Sequence, residues 1–179
     1  TFIGAAKAAS SGLRIETRSG CPFIDAEVAE EGANSRQDPC KKFVDRLTNE
    51  LEEQQPSVVF IANSTDLYLE DDSRTLVDPI TKKLARNRHE EGAIFQAGLE
   101  RMSAKLAQSG MKVVIVEVPP KPRSGGVDFD PDGCSPLLLW TDAGSCTFPD
   151  FGADQPTTAE ANRIEREAAR ATSATTWSF

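Results

Sequence analysis

Residues 40–68 read CKKFVDRLTNELEEQQPSVVFIANSTDLY: a helix, a proline stop and a strand in succession. Just ahead of them, Asp38 and Pro39 are the residue types of an N-cap and a first helical position. Phe43, Val44, Leu47 and Leu51 recur at helical spacing, so one stripe of that helix is apolar. Pro56 ends the pattern, and Val58 to Ala62 form an unbroken apolar run of strand length. Such runs belong to strands covered on both faces, as in parallel sheets. In open parallel sheets, ligands bind beyond the C-terminal ends of the strands. Asn63, Ser64, Thr65 and Asp66 stand at that edge, which makes it the place to look for chemistry.

The same alternation continues on both sides. Residues 2–9 read as the tail of a helix ending at Gly12, Leu13 to Thr17 as a short strand, and Arg18 to Gln37 as a polar loop holding Cys21. Beyond the central stretch, Leu67 to Arg88 is acidic and then basic, and reads as surface. A long helix is expected from about Glu90 to Ser109, with Ile94, Phe95, Leu99, Met102 and Leu106 on one stripe and Gly110 as its stop. Val113 to Val116 is a second buried strand, ended by Pro119 and Pro120, which with Lys121 and Pro122 form a rigid loop entry. A Gly/Pro/Asp-rich loop reaches about Pro156. Thr158 or a neighbour caps a last helix through Ala169, and 174–179 is a final strand. Strands alternating with helices predict an α/β, three-layer, flavodoxin-like sandwich on a mostly parallel sheet.

A chain of 179 residues can bury one substantial core. Its net charge of -8 argues against nucleic acid and anionic membrane surfaces as partners, and is silent on glycans and small molecules. No run approaches the roughly 20 apolar residues of a membrane span. Thr1 opens the chain without a Met or a signal peptide, inside what reads as a helix. One domain over 1–179, incomplete at both ends, is therefore expected.

The four cysteines fall into two local pairs, Cys21 with Cys40 and Cys134 with Cys146. Neither pair has metal-site spacing, and the only histidine is His89, so no metal and no cofactor is expected. Each pair would close a loop among turn-forming residues, as disulfides do in oxidising compartments, and would stabilise by about 3 kcal/mol. Four buried free thiols in a cytosolic protein are the other reading.

Asn63 is the candidate catalytic residue: an amide beyond a buried strand can donate to a developing oxyanion. An Asx-turn that ends the strand is the alternative. Asn63-Ser64-Thr65 also matches a glycosylation sequon. The segment from Asp128 to Gly133 begins like a calcium loop but has Leu139 where the twelfth-position acid belongs, so an EF-hand is rejected. His89 reads as a solvated surface histidine. The chain has neither a Gly-rich phosphate loop nor a G-x-S-x-G elbow.

Ser19-Gly20-Cys21-Pro22, Cys40-x-x-Phe43 opening a helix, Pro56 to Ile61 running to a polar strand end with Tyr68 beyond, and Gly110 to Pro120 followed by a loop with Cys134 occur in an order that resembles a known family. The chain resembles the extracytoplasmic SGNH-hydrolase-like domain of acyltransferase-3 proteins, which O-acylate cell-surface glycans in bacteria. The resemblance implies acyl (acetyl) transfer to a cell-envelope glycan or glycolipid through a serine ester. It also implies a membrane acyltransferase domain in the same polypeptide, on the extracytoplasmic face of the plasma membrane. Family members carry a Gly-Asp-Ser nucleophile motif and an Asp-x-x-His block, and neither occurs here. The resemblance therefore puts the nucleophile strand before Thr1 and the Asp-His block after Phe179. It assigns Asn63 to the oxyanion hole. Alone, this segment is expected to be inactive.

Two other classes compete. A non-catalytic glycan-binding or interaction module on the same fold would stack sugars on Trp140, Trp177 and Tyr68. A cytosolic receiver-like domain would need free thiols and an acidic cluster after its first strand.

Overall fold

The computed structural model describes residues 12–30, 39–70, 74–119, 123–124, 127–128 and 156–178. In chain order these form β1 (Glu27–Glu30), α1 (Pro39–Gln54), β2 (Val58–Ala62), α2 (Thr65–Glu70), β3 (Arg74–Val77), α3 (Arg88–Gln108), β4 (Lys112–Val116), β5 (Arg123–Ser124), β6 (Val127–Asp128), α4 (Pro156–Thr172) and β7 (Thr175–Trp177). β2, β4 and β7 make a parallel sheet in the order β2-β4-β7, with Ile61 opposite Ile115 and Val116 opposite Trp177. The chain is thus the expected α/β sandwich on a parallel sheet.

The helices follow the sequence signals. Pro39 opens α1, and Phe43 and Val44 bury while Leu47 and Leu51 pack at the margin of the core. Asn87 caps α3 by accepting from Glu90 N at 3.0 Å, and Gly110 ends it with φ +86. Phe95, Leu99, Met102 and Leu106 form the buried stripe of α3. Gly92 lets α4 approach, since a Cβ there would stand 3.0 Å from Ile164 Cδ1. On its other flank α3 meets α1, through Lys105–Glu52 at 3.3 Å and Thr48 against Met102.

Five expectations are corrected. β2 buries Val59 and Ile61, but Val58 and Phe60 are 40% and 48% exposed, so it is covered on alternate residues rather than both faces. An unbroken apolar run shows no period from which to read this. Residues 13–17 form no strand; Arg14 and Glu16 instead pair with Glu50 and Arg46 on α1. The polar loop from Arg18 contains β1, which pairs antiparallel with β3. Leu67 to Arg88 is only partly surface: Tyr68, Leu69 and Leu76 are core, because elements of four to six residues show too little periodicity to be recognised. Finally, α4 starts at Pro156, a residue suited to the first helical position, so Thr158 lies inside it rather than capping it. The helix expected over 2–9, the cap Asp38, the Cys134–Cys146 pair, Trp140, all of the 119–122 loop entry but Pro119, and most of the Asp-rich loop lie outside the described residues.

Candidate functional site

Asn63 directly follows β2 at the C-terminal edge of the parallel sheet and is half-buried. Its Oδ1 accepts a hydrogen bond from Phe23 N at 2.9 Å. A backbone N–H can only donate, so the atom facing Phe23 is the carbonyl oxygen, and Nδ2 with its two N–H groups points elsewhere. The Asn63 acceptor is therefore spent on a segment 40 residues away in sequence.

The segment that holds Asn63 is itself pinned. Cys21 and Cys40 form a disulfide, S–S 2.04 Å, tying the turn to the start of α1. The other reading, free thiols, is excluded for this pair. Tyr68 Oη donates to Gly20 O at 2.6 Å, and Cys21 N donates to Arg18 O at 3.2 Å. Gly20 has φ +68, a left-handed conformation that other residues adopt only with strain, so the turn favours glycine. The Tyr68 ring packs on Phe95, with centroids 5.8 Å apart, and is buried. Tyr68 is thus a structural anchor and not a sugar-stacking platform.

On the other side, Thr65 opens α2 two residues after Asn63 and is fully buried. Its Oγ1 donates to Glu165 Oε1 at 2.5 Å. Glu165 Oε2 accepts from Val118 N at 3.2 Å, and Val118 is clasped by Asn162, whose Oδ1 and Nδ2 bond Val118 N and O. Asp66 and Glu117 are buried alongside, with Glu117 paired to Arg166 at 3.0 Å. Burial pushes the Glu165 carboxyl up to about 7; the charges of Glu117 and Asp66 act in the same direction, while the bonds from Thr65 and Val118 oppose it. The Thr of the sequon is thus enclosed and engaged.

Among the described residues no group of three or more His, Cys, Asp or Glu side chains could hold a metal. His89 is exposed on the first turn of α3, as expected of a surface histidine. A cavity of about 500 Å³ lies between α1, α3 and residues 24–26. Its cations are paired, Lys41 with Asp45, Arg101 with Asp25 and Lys105 with Glu52, and Asn63 does not line it. Trp177 is 41% exposed, edge-on to Phe60 with centroids 6.3 Å apart.

Thr65 was marked by its place at the strand edge, but Glu165 escaped the sequence reading. A signal existed: Ala161, Glu165, Ala168 and Ala169 share the apolar stripe of a helix that also buries Ile164, so an acid stands where a core residue is due.

No described helix is long and apolar enough to cross a membrane. Neither the curated proteins nor the solved structures gave a match. A family model does match, over residues 1–177, and its description is "SGNH domain (fused to AT3 domains)". The order of strand, disulfide-pinned turn and Asn63 edge thus has its place: this chain belongs to the SGNH domains that are fused to acyltransferase-3 (AT3) domains.

Proposed function

We propose that this chain is part of an O-acyltransferase that moves an acyl group, acetyl in the simplest case, onto a hydroxyl of a cell-envelope glycan or glycolipid. The family fusion to AT3 domains supports a membrane acyltransferase in the same polypeptide. The Cys21–Cys40 disulfide supports the extracytoplasmic face of the membrane, where thiols oxidise.

The reaction proceeds through a serine ester. A histidine takes the proton of a serine hydroxyl as it attacks the donor carbonyl, and an aspartate holds that histidine in the needed tautomer. Collapse of the tetrahedral intermediate leaves an acyl-serine, which the glycan hydroxyl attacks in turn. The Ser and Asp/His elements lie outside this segment, which contains neither a Gly-Asp-Ser nor a histidine after His89. Asn63 supplies one donor to the oxyanion in both halves of the reaction. The observation that supports this reading is the Phe23–Asn63 bond, which engages the amide oxygen of a residue at the sheet edge and leaves the Nδ2 donors out of that bond.

In the polypeptide that includes the AT3 domain, Asn63→Ala lowers acyl transfer by about 10²–10³-fold with little change in acceptor KM. Undiminished transfer removes Asn63 from the reaction. A non-catalytic glycan-binding module is the second reading, favoured by the exposed Trp177 beside Phe60. Binding of envelope glycan that Trp177→Ala abolishes, without any acyl turnover, would favour it.

A further inference from the structure

We infer that Glu165 is a positioning residue for Asn63, a buried clamp on the start of α2 whose grip depends on its proton. The inference rests on the oxyanion role proposed for Asn63 and adds a residue that acts through another.

Asn63 sits between two tethers. Phe23 N holds its side chain, and two residues later Thr65 Oγ1 is bonded to Glu165 Oε1. Through Val118 N, Glu165 also holds the chain just beyond β4, so one carboxyl joins α2, α4 and the neighbouring strand end. α2 has only six residues. A helix of that length has little stability of its own, and its position is set by what it is fastened to.

The groups around the clamp give it a direction. From α2, Asp66 is buried beside it; from the β4 end, Glu117 is buried with Arg166 of α4 as its counter-ion. Asn162 of α4 is spent on Val118. On the first turns of α3, Arg88 Nε bonds Leu69 O and Glu91 bonds Leu76 N, while His89 is exposed. Among the described residues, Arg166 is a cation in direct contact with this set, through Glu117. A protonated Glu165 fits this enclosed site without a charge to bury; ionised, it is a buried carboxylate, and movement of α2 off α4 lets water reach it.

Hydrogen exchange in the full-length polypeptide, corrected for intrinsic rates, reads this in the peptide spanning residues 63–70. With the carboxyl near 7 when clamped and near 4.5 when released, opening rises on the order of tenfold between pH 6 and pH 8. Glu165→Gln removes that rise. Thr65→Ser, which retains the hydroxyl, keeps it; Thr65→Val, which removes a bond that favours the ionised carboxyl but leaves its burial, raises opening at both pH values without abolishing the rise. Acyl transfer measured on the same proteins shows a fall above neutral pH in the wild type and in Thr65→Ser, but not in Glu165→Gln. Equal exchange at the two pH values in the wild type, or the same rise in Glu165→Gln, overturns the clamp. Full transfer by Asn63→Ala overturns the oxyanion role instead, whatever the exchange shows, so the two failures are told apart.

Discussion

The Tyr68 hydroxyl donates to the Gly20 carbonyl at 2.6 Å, fastening the turn that carries Cys21 to the helix that begins just after Asn63. The bond and the disulfide grip the same turn from two sides, and the segment they fix is the one whose Phe23 N holds the Asn63 amide.

Tyr68→Phe keeps the ring on Phe95 but leaves the Gly20 carbonyl without this donor. The expected cost is about 1–3 kcal/mol. It is read as a lower denaturant midpoint at unchanged slope. An unshifted midpoint would mean that water replaces the hydroxyl at no cost.

Removing the Cys21–Cys40 bond, as Cys21→Ala with Cys40→Ala, frees a loop with a sequence separation of 19. Stability falls by about 3 kcal/mol on the chain-entropy argument. Thermal unfolding with and without reductant checks it: the wild type loses more Tm on reduction than the double variant, which retains Cys134 and Cys146.

Glu165 makes stability depend on pH in a defined window. Unfolded, its carboxyl titrates near 4.5; folded, near 7. Between these values the folded chain holds the proton more tightly, so stability falls as pH rises through the window and levels off above it. The contribution lost is roughly 3 kcal/mol. Unfolding free energies from pH 4.5 to 8 should show the slope in the wild type and its absence in Glu165→Gln.

Gly98 lies where α3 crosses the backbone of residue 25: Asp25 N donates to Gly98 O at 3.1 Å. A Cβ on residue 98 would stand 2.9 Å from Asp25 O, a backbone atom that cannot swing aside. Gly98→Ala therefore destabilises by about 1–3 kcal/mol despite alanine's better helix propensity. A rise in Tm would show that the crossing can widen freely.

α1 and α3 were legible in the sequence because they repeat a helical period, and β2 and β4 because they are apolar runs of strand length. The family resemblance rested on the same pieces, together with the cysteine and proline positions. β1, β3 and α2 were not legible, since four to six residues cannot display a period and their burial is set by pairing between distant segments. Asn63 was found from its place after a strand, but its partner was not. Nothing local links residue 63 to residue 23, or Thr65 to Glu165, and only the folded chain brings them together.

That separation has a consequence for biosynthesis. The bond from Phe23 reaches across 40 residues and the one from Glu165 across 100. Contacts so distant along the chain close late, after the loop entropy between them has been overcome. A nascent chain that has emerged only through β4 holds Asn63 from one side, and the second anchor arrives with the last helix. Orientation of the amide is thus one of the final events of folding rather than a property of the strand that bears it.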